Sequence, residues 1–593
     1  MPAGLAGPGT RKTGGAEAPT ASAPPAGAPG PTGSPGAPPS APAMLTTDPA
    51  GRSWAVVRRR ISGAEARLAH LGSARRADAY LVTGFMALAI VLRLRTLGTS
   101  YWGDEAIALG IAVHPLASLP HFLAQDGSPP LYYVALHYWV GLFGRSSAAT
   151  HALSLIGAVL AVPAAWWAGD RLFGRWPARA ATALVATCAY LDYYATETRM
   201  YSWLALFAIL EMASFVIACR RGGWRWWAQA TLLMTGVLYL QYYGLYLLCV
   251  CAAIGLYLAG RQRDRKLALQ VVGFTCACVA AFAPWMPQFD YQLRNTGAPW
   301  APHPNLELLI GDVWNSAASA AWPFVTVAMA AGIWAAVQRR LRARPLGQRV
   351  PSSSPTTLAI CTAVPALTIA VAFVAGQFVN SWNPRYMGIA VVPAFVAIAG
   401  GLATAPRRFT ALAIAVVGMT ATAVPMLVDR PVTVLTSKSN AAYILSLLRP
   451  KLHRGALVIS SDVTYMPAVA VALGPGYRYA TALGPLSDPL VVNWSDLPTR
   501  LQGVSATSHL GPLLASLPVG GQVLLVNRLT WGGTDTPSQY LGPVHAEGIA
   551  ATNVVTNDPS LQEVAGIAVP RYSNPLYPVA AKLFVKVGAT GPR

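Results

Sequence analysis

The feature of this sequence that most limits its fold is a series of apolar blocks, each roughly 18 to 22 residues long, because a helix needs about 20 residues to cross the hydrocarbon core of a bilayer. Hydrophobic residues make up 54% of the 593 residues and charged residues only 11%, whereas soluble domains carry about 25% charged residues. The chain is therefore predicted to be an α-helical polytopic membrane protein with about eleven transmembrane helices. The predicted spans are 78–97, 148–168, 178–195, 201–219, 227–241, 243–260, 267–285, 315–337, 356–378, 386–404 and 409–429.

The distribution of basic residues predicts the orientation of these spans. Clusters of arginine occur in every second connection, whereas the connections between them carry single arginines, namely Arg145, Arg199, Arg294 and Arg385. Basic clusters mark the cytoplasmic side of a membrane protein. The N-terminus is therefore predicted to be cytoplasmic and the region after residue 430 extracytoplasmic. This placement explains the net charge of +21 through contact with membrane lipids, and no nucleic-acid partner is expected.

The chain divides into four regions by composition. Residues 1–50 are rich in Pro, Ala and Gly and are predicted to form a disordered cytoplasmic tail. A basic juxtamembrane segment at 51–77 precedes the transmembrane domain at 78–430. Strand-like and helical runs alternate in residues 431–593, which predicts a small extracytoplasmic α/β domain.

Two patterns in the C-terminal region were assigned from the sequence. The strand-like runs are 456–460, 522–529 and 582–587, and the helical runs are 440–448 and 466–473. The segment LGPGYRYATALG at 473–484 contains several glycines, but it lacks the strand–glycine loop–helix context of a nucleotide site. It is predicted to form turns.

The first extracytoplasmic connection begins TSYWGDEAIALG, so that Asp104 and Glu105 follow the first span directly. Ionisable groups beside a membrane are costly to desolvate, which favours a functional role. The alternative is an acidic first turn that caps a helix. The same connection continues AQDGSPPLYYVALHYW, which predicts an interfacial helix after the prolines. Its histidines His114, His121 and His137 lack the spacing of zinc ligands.

Single arginines recur in the later extracytoplasmic connections, within the segments ETRMY at 197–201 and PRYM at 384–387 and at Arg294. A guanidinium group binds phosphate through two parallel hydrogen bonds, which suits the head group of a lipid phosphate. The alternative for any one of them is a side chain that extends to the membrane surface.

The order of these motifs resembles that of the GT-C glycosyltransferases, and most closely the branch of protein O-mannosyltransferases and aminoarabinose transferases. The resemblance rests on the Asp-Glu pair, PPLYY, ETRMY, PWMP and PRYM in succession, and it covers about residues 78–430. It implies a membrane glycosyltransferase that transfers a hexose or pentose from a polyprenyl-phosphate carrier to a glycan or protein acceptor. Transfer is expected on the outer face of the membrane, with inversion at the anomeric carbon.

The resemblance also implies roles for individual residues. The predicted catalytic residues are Asp104, Glu105 and Glu197, of which Asp104 matches the family's first-loop acid. The predicted residues of the lipid-phosphate and donor site are Arg199, Arg385, Tyr386, Arg294, Tyr132 and Tyr243. Two positions depart from the family, since Ser128 and Gln241 stand where it often has histidine. No cofactor is assigned, and dependence on a divalent metal stays open.

Two other functions were weighed against the transferase. A transporter or flippase of lipid-linked sugars would carry internal repeats and broken helices at matching positions, which the sequence does not display. A non-catalytic assembly scaffold would not need the acids at 104 and 197. The identities of the sugar and the acceptor are not determined by the sequence.

Overall fold

The computed structural model describes residue 73 and residues 75–296, 298, 301–317, 355–402, 438–529, 541–568 and 577–588. Residues 73–593 form one compact unit. The predicted tail at 1–50, most of the segment 51–77, the basic connection at 338–349 and the predicted span 409–429 lie outside the described residues.

The first part of the described chain is helical. Its helices are α1 Arg75–Leu94, α2 Gly103–Ala112, α3 Leu119–Asp126, α4 Leu131–Phe143, α5 Ser147–Phe173, α6 Arg175–Ala186, α7 Ala189–Tyr194, α8 Tyr201–Arg221, α9 Trp224–Leu240, α10 Gly244–Gln262, α11 Arg265–Phe282, α12 Met286–Asn295, α13 Leu306–Ala317, α14 Pro355–Ala375 and α15 Gly388–Leu402. Short 3-10 turns lie at Leu116–Ser118, Ala283–Trp285 and Pro384–Tyr386.

Among the described residues, six helical stretches are long and apolar enough to cross a membrane. They are α1, α5, α8, α10, α14 and the continuous run Arg265–Asn295 that contains α11 and α12. Each coincides with a predicted span, so the fold class is confirmed. Helices α6 and α9 contain only 12 and 17 residues, shorter than the roughly 20 residues of a full span. The total of about eleven spans stays a prediction.

Small residues allow the helices of this bundle to approach closely. A Cβ atom added to Gly169 of α5 would lie 2.6 Å from the Cα atom of Ala178 in α6. A Cβ atom added to Gly157 would lie 3.1 Å from the Trp203 side chain of α8. Close backbone approach of this kind stabilises helix pairs in a bilayer, where lipid tails are as apolar as leucine. Helix α5 is thereby packed between α6 and α8 beside the connections that form the site.

The C-terminal part is a six-stranded sheet with helices on both faces. Its strands are β1 Leu457–Ser460, β2 Arg478–Thr481, β3 Gly484–Leu486, β4 Gln522–Arg528, β5 Leu561–Ile567 and β6 Val579–Lys586. Its helices are α16 Ala441–Leu448, α17 Met466–Leu473, α18 Leu497–Gln502, α19 Ala506–Ala515 and α20 Leu541–Thr556. The strand order is β3-β2-β1-β4-β6-β5, and β1 pairs in parallel with β2 and β4.

Alternation of side chains along the strands builds two apolar layers. Val458 of β1 packs with α16 and α17, whereas Leu457 and Ile459 pack with α19 and α20. Successive side chains of a strand point to opposite faces of the sheet, so this pattern produces three layers. The small α/β domain predicted from the sequence is confirmed in its architecture.

The prediction of turns for 473–484 is wrong in its second half. Gly474 and Gly476 adopt φ values of 80° and 103° and form a turn after α17. Residues Arg478–Thr481 then form β2, which pairs with β1. A strand of four residues is too short to display a periodicity, and its stability comes from its neighbour in the sheet.

The sheet domain packs against the helical part through the region that follows β1. Ala106 of α2 belongs to the same apolar core as α16 and α17. The Trp494 backbone amide donates a hydrogen bond to the Gln125 carbonyl oxygen at 3.0 Å. A Cβ atom added to Gly110 would overlap the Leu490 carbonyl oxygen, at 1.8 Å. Segment 490–494 therefore lies directly over α2 and the end of α3.

Candidate active site

A small polar chamber, of about 50 Å³, lies where the connection between α1 and α5 meets the start of α8 and the turn before α15. Its lining residues are Asp104, Ile107, Asp126, Gly127, Ser128, Arg199, Ala298, Tyr386 and Trp494. Two carboxylates and one guanidinium thus face a common space. The chamber brings together the predicted residues Asp104, Arg199 and Tyr386 from distant parts of the chain.

Asp104 lies in the first turn of α2 and forms an ion pair with Arg385, whose Nη1 donates to Asp104 Oδ2. Asn383 fixes Arg385 by accepting hydrogen bonds from its backbone amide at 3.0 Å and from its Nε at 2.9 Å. The Arg385 guanidinium also lies 5.3 Å from the ring centroid of Trp102. Asp104 lines the chamber despite this contact.

Asp126, at the end of α3, is the second carboxylate of the chamber and was not among the predicted site residues. Its Oδ2 accepts a hydrogen bond from the Tyr133 hydroxyl at 2.8 Å. Burial raises the pKa of Asp126, and the nearby Arg199 opposes that rise. The segment QDGSPPLYY contained the signal, but its prolines were interpreted only as the start of a helix.

Arg199 lies between the chamber and a second cavity. Its Nη1 donates a hydrogen bond to the Tyr133 hydroxyl at 2.9 Å. Its Nε is buried and has no hydrogen-bond partner among the described residues. A buried donor without a partner is costly and is normally explained by a role in binding. Arg199 can therefore offer this donor to an anionic ligand at the junction of the two cavities.

The second cavity, here called the aromatic groove, has a volume of about 170 Å³ and shares Gly127, Ser128, Arg199, Ala298 and Tyr386 with the chamber. Its remaining wall consists of Pro129, Gln241, Tyr242, Tyr243, Leu245, Tyr246, Phe289, Gln292, Leu293, Thr296, Val379, Asn380 and Ser381. The wall is mainly apolar and aromatic, and the shared end is polar. This division suits an amphipathic ligand with one anionic group.

Tyr243 and Tyr386, two of the predicted donor-site residues, form part of the groove wall. Their ring centroids lie 4.9 Å apart, and the Tyr243 hydroxyl donates to the Ser381 carbonyl oxygen at 2.9 Å. Ser128 and Gln241, the two departures from the family pattern, line the same groove. Both departures therefore alter the wall of the groove.

Glu105 lies outside the lining of both cavities and is fully buried. Its Oε1 accepts hydrogen bonds from His151 Nε2 at 2.6 Å and from the Thr198 amide at 2.8 Å. Burial alone would raise the pKa of Glu105, but Lys438 and His151 lower it, so that the net pKa lies below its usual value. These contacts tie α2 to α5 and to the start of α8.

Glu197 is also buried and lies outside the lining of both cavities. Its Oε1 accepts a hydrogen bond from Trp102 Nε1 at 2.8 Å and lies 3.5 Å from Lys438 Nζ. Its Oε2 has no hydrogen-bond partner among the described residues. Burial raises the pKa of Glu197, Lys438 opposes the rise, and the neighbouring Glu105 adds to it. Lys438 was not identified from the sequence.

Three predicted donor-site residues are absent from the lining of both cavities. Arg385 is connected to the chamber through its ion pair with Asp104. Arg294 is 72% exposed and pairs with Asp290 in the same helix at 2.9 Å. Tyr132 is buried in the helical core, where its hydroxyl is hydrogen-bonded to Ser154 Oγ at 3.0 Å. Neither lines the chamber or the aromatic groove.

The described residues contain no group of three His, Cys, Asp or Glu side chains that could hold a metal ion. Within this part of the chain, the acidic groups of the chamber are Asp104 and Asp126.

Comparison with known proteins agrees with the resemblance seen in the motifs. Residues 127–289 match the family model described as dolichyl-phosphate-mannose-protein mannosyltransferase. This stretch begins at the chamber residue Gly127 and ends at the groove residue Phe289. Over these residues the chain is therefore similar to a family of membrane mannosyltransferases that use a lipid-phosphate sugar.

Several solved structures are similar to this chain. ArnT from Cupriavidus metallidurans bound to undecaprenyl phosphate has 13% identity, a TM-score of 0.49, and coverage of 86% of this chain and 99% of its own. The arabinofuranosyltransferase AftD from Mycobacteria has 12% identity, a TM-score of 0.47, and coverage of 87% and 40% respectively. The Archaeoglobus fulgidus oligosaccharyltransferase has 11% identity, a TM-score of 0.43, and coverage of 76% and 68%. No curated protein sequence matches the chain.

Proposed function

We propose that this protein transfers a sugar from a polyprenyl-phosphate carrier to an acceptor hydroxyl on the outer face of the membrane, with inversion at the anomeric carbon. The observation that carries the proposal is the aromatic groove that joins a polar chamber, with Arg199 at the junction. The family match over residues 127–289 supports the same class of donor. The acceptor belongs to a cell-envelope glycan or a glycoprotein.

The donor is oriented by the division between groove and chamber. The first isoprene units of the carrier lie against the aromatic and aliphatic wall formed by Tyr242, Tyr246 and Leu293. The carrier phosphate lies at Arg199, where the unpartnered Nε supplies a charge-assisted hydrogen bond. The sugar then extends from the phosphate into the chamber that contains Asp104 and Asp126.

Asp104 acts as the general base in this arrangement. The acceptor oxygen attacks the anomeric carbon as its proton passes to the Asp104 carboxylate, and the bond between that carbon and the phosphate oxygen breaks. Positioned proton transfer of this kind accelerates a reaction by about 100- to 10,000-fold. The contact with Arg385 fixes the position of the Asp104 carboxylate before the attack. The carrier phosphate leaves with an added negative charge, which Arg199 stabilises.

Asp126 has a different role from Asp104. Its raised pKa makes it a stronger proton holder, and its hydrogen bond from Tyr133 fixes its orientation. We assign it to binding the sugar hydroxyls in the chamber. Glu105 and Glu197, which lie outside the chamber lining, position α2 and Trp102 and make no contact with the reacting atoms.

Incubation of the purified protein with a panel of polyprenyl-phosphate sugars and candidate acceptors tests this function. Release of free polyprenyl phosphate and formation of the glycosylated acceptor are both measured by mass spectrometry. We expect both products with wild type and a large loss of both with Asp104→Asn at equal monodispersity in detergent. Equal product formation by the two proteins would reject the assigned site, and translocation of intact donor without release of carrier would favour the flippase.

A further inference from the structure

We propose that Lys438, the first described residue of the C-terminal sheet domain, is a positioning residue of the active site. It holds Glu105 and Glu197 in place and, through Trp102, the Asp104–Arg385 pair. The expected effect on transfer kinetics rests on the proposed function. The expected effect on thermal stability can be measured without any assay of sugar transfer.

Lys438 inserts between two carboxylates of the helical part. Its Nζ lies 3.5 Å from Glu197 Oε1 and 3.8 Å from Glu105 Oε1, and the side chain is only 10% exposed. The same nitrogen donates a hydrogen bond to the Thr196 carbonyl oxygen at 3.1 Å. Two buried carboxylates this close to each other require a compensating cation, because an unpaired buried charge is strongly destabilising.

The second compensating group is His151 on the opposite side of Glu105. Its Nε2 lies 2.6 Å from Glu105 Oε1 and its Nδ1 lies 2.7 Å from the Leu97 carbonyl oxygen. Both ring nitrogens thus face oxygen atoms, so the ring links Glu105 to the Leu97 backbone. Lys438 is the cation that Glu105 and Glu197 share. Loss of Lys438 would leave one carboxylate uncompensated.

Trp102 connects this cluster to the chamber. Its Nε1 donates to Glu197 Oε1, and its ring lies 5.3 Å from the Arg385 guanidinium carbon. The ring also stacks on Tyr577 of the sheet domain, with centroids 4.7 Å apart and planes at 11°. The Tyr577 amide in turn donates to the Lys438 carbonyl oxygen at 3.0 Å. The sheet domain therefore holds Trp102 from two directions, immediately before the turn that carries Asp104.

Removal of the Lys438 charge also changes the titration of the cluster. Lys438 lowers the pKa of both Glu105 and Glu197, so its loss raises both values. The titratable and charged groups that face the two carboxylates are His151, Arg385, Lys438, Tyr101, Tyr132, Tyr190, Tyr193, Tyr194, Tyr201 and Tyr577. Burial raises the pKa of Tyr101 and Tyr577, which lie outside the membrane spans, so both stay neutral near pH 7.

Three full-length variants test the inference. Lys438→Met removes the charge at similar length, and Lys438→Arg keeps it. Lys582→Met is the matched control, because that lysine lies in the same domain but pairs with Glu563 at the surface, with 44% of its side chain exposed.

The first measurement is the apparent Tm of each purified protein between pH 5 and pH 8.5. A carboxyl group whose pKa is higher in the folded than in the unfolded protein makes the protein less stable as pH rises above the unfolded-state pKa. The Tm of Lys438→Met should therefore fall further below that of wild type as pH rises. We expect the difference to reach about 5 °C or more at pH 8. Lys438→Arg and Lys582→Met should follow wild type. A pH-independent deficit in Lys438→Met, or none, would overturn the inference even if the proposed transfer activity is absent from wild type.

The second measurement is the kinetics of sugar transfer. We expect Lys438→Met to lower kcat by about 10- to 100-fold, the size expected for misplacement of a catalytic group, with little change in the donor KM. The acid limb of its pH profile should move to higher pH, and Lys438→Arg should recover most of the lost kcat. A wild-type kcat and pH profile in Lys438→Met would contradict the positioning role. Failure of wild type with every donor would instead contradict the proposed function.

Discussion

The Arg385 guanidinium donates a hydrogen bond to the Asp104 carboxylate, although the two residues are 281 positions apart in the chain. Asp104 begins the first helix after α1, and Arg385 lies in the 3-10 turn immediately before α15. The contact closes the helical part around the chamber. The position of the proposed base therefore depends on the position of the turn that carries Arg385.

Substitution of Arg385 should impair both turnover and binding of the donor. Arg385→Ala removes the guanidinium group that pairs with Asp104 and that donates a hydrogen bond to the Asn383 side chain. Arg385→Lys should recover only part of the loss, because an ammonium group cannot reproduce the guanidinium fork. Donor affinity is measured by titration with a polyprenyl-phosphate sugar, alongside the transfer rate.

Arg294→Ala and Arg145→Ala are the controls for this experiment. Arg294 is exposed and pairs only locally with Asp290 among the described contacts, and Arg145 lines a different cavity. Both variants should bind the donor as wild type does. Equal affinity of Arg385→Ala and the two controls would show that the 385 position does not contribute to the donor site.

Asp126→Asn should separate stability from activity. Burial raises the pKa of Asp126 above its value in the unfolded chain, so the wild-type side chain contributes most to stability at low pH and progressively less as pH rises through that range. Asparagine avoids the buried charge and can still accept the Tyr133 hydrogen bond. Its Tm relative to wild type should therefore increase from pH 4 to pH 8, whereas transfer activity should fall.

Thermal unfolding of the two proteins at several pH values, paired with transfer rates, checks this prediction. Ile107→Val, in the same chamber wall, is a control that changes no ionisable group. A Tm difference for Asp126→Asn that is constant across the pH range, or that decreases, would mean that Asp126 is not destabilised by its charge.

Some chamber residues could be identified from the sequence because charged side chains are unusual beside an apolar span. Asp104, Arg199 and Tyr386 stood out because charge and aromatic residues clustered beside apolar spans. The sequence could not reveal Lys438, since its importance comes from Glu105 and Glu197, which are distant in the chain. It also could not separate Glu105 from Asp104, because which of two adjacent side chains faces a cavity depends on how the helix is packed.

The fold shows the same division between local and tertiary information. The length and apolarity of spans such as α8 and α14 are local properties and were predicted closely. The short strand β2 depends on pairing with β1 and was missed. Arg93 is a comparable case, because its buried side chain donates to the Ala186 and Leu191 carbonyl oxygens at the ends of other helical segments. No local pattern identifies those acceptors.

The orientation of the chain can be tested without any functional assay. Single cysteines are introduced into a protein that lacks the seven native cysteines. Gln348→Cys places one in the predicted cytoplasmic connection, and Gln502→Cys places one at the end of α18. An impermeant thiol reagent applied to intact cells should label position 502 and spare position 348, because the positive-inside rule places the arginine cluster inside. A permeant reagent should label both. Labelling with the reverse pattern would place the chamber on the cytoplasmic side.

Asp104→Asn and Glu105→Gln should have contrasting effects, although the residues are adjacent. Asp104→Asn keeps the size of the side chain and much of its hydrogen bonding but cannot accept the proton of the acceptor. We expect turnover to fall by about 100- to 10,000-fold with little loss of folded protein. If Asp104 only capped α2, asparagine would serve nearly as well, and turnover would barely change.

Glu105→Gln should mainly reduce stability. Glu105 is fully buried, and its carboxylate compensates His151 and Lys438 while accepting the Thr198 amide. Removal of its charge breaks the contact with His151 and leaves Lys438 to pair with Glu197 alone. Breaking a buried ion pair typically costs about 3–5 kcal/mol. Yield and Tm should therefore decrease, whereas kcat per folded molecule should decrease less than in Asp104→Asn. Rates are compared at matched concentrations of monodisperse protein. Normal turnover in Asp104→Asn together with a large loss of kcat in folded Glu105→Gln would transfer the catalytic role to Glu105.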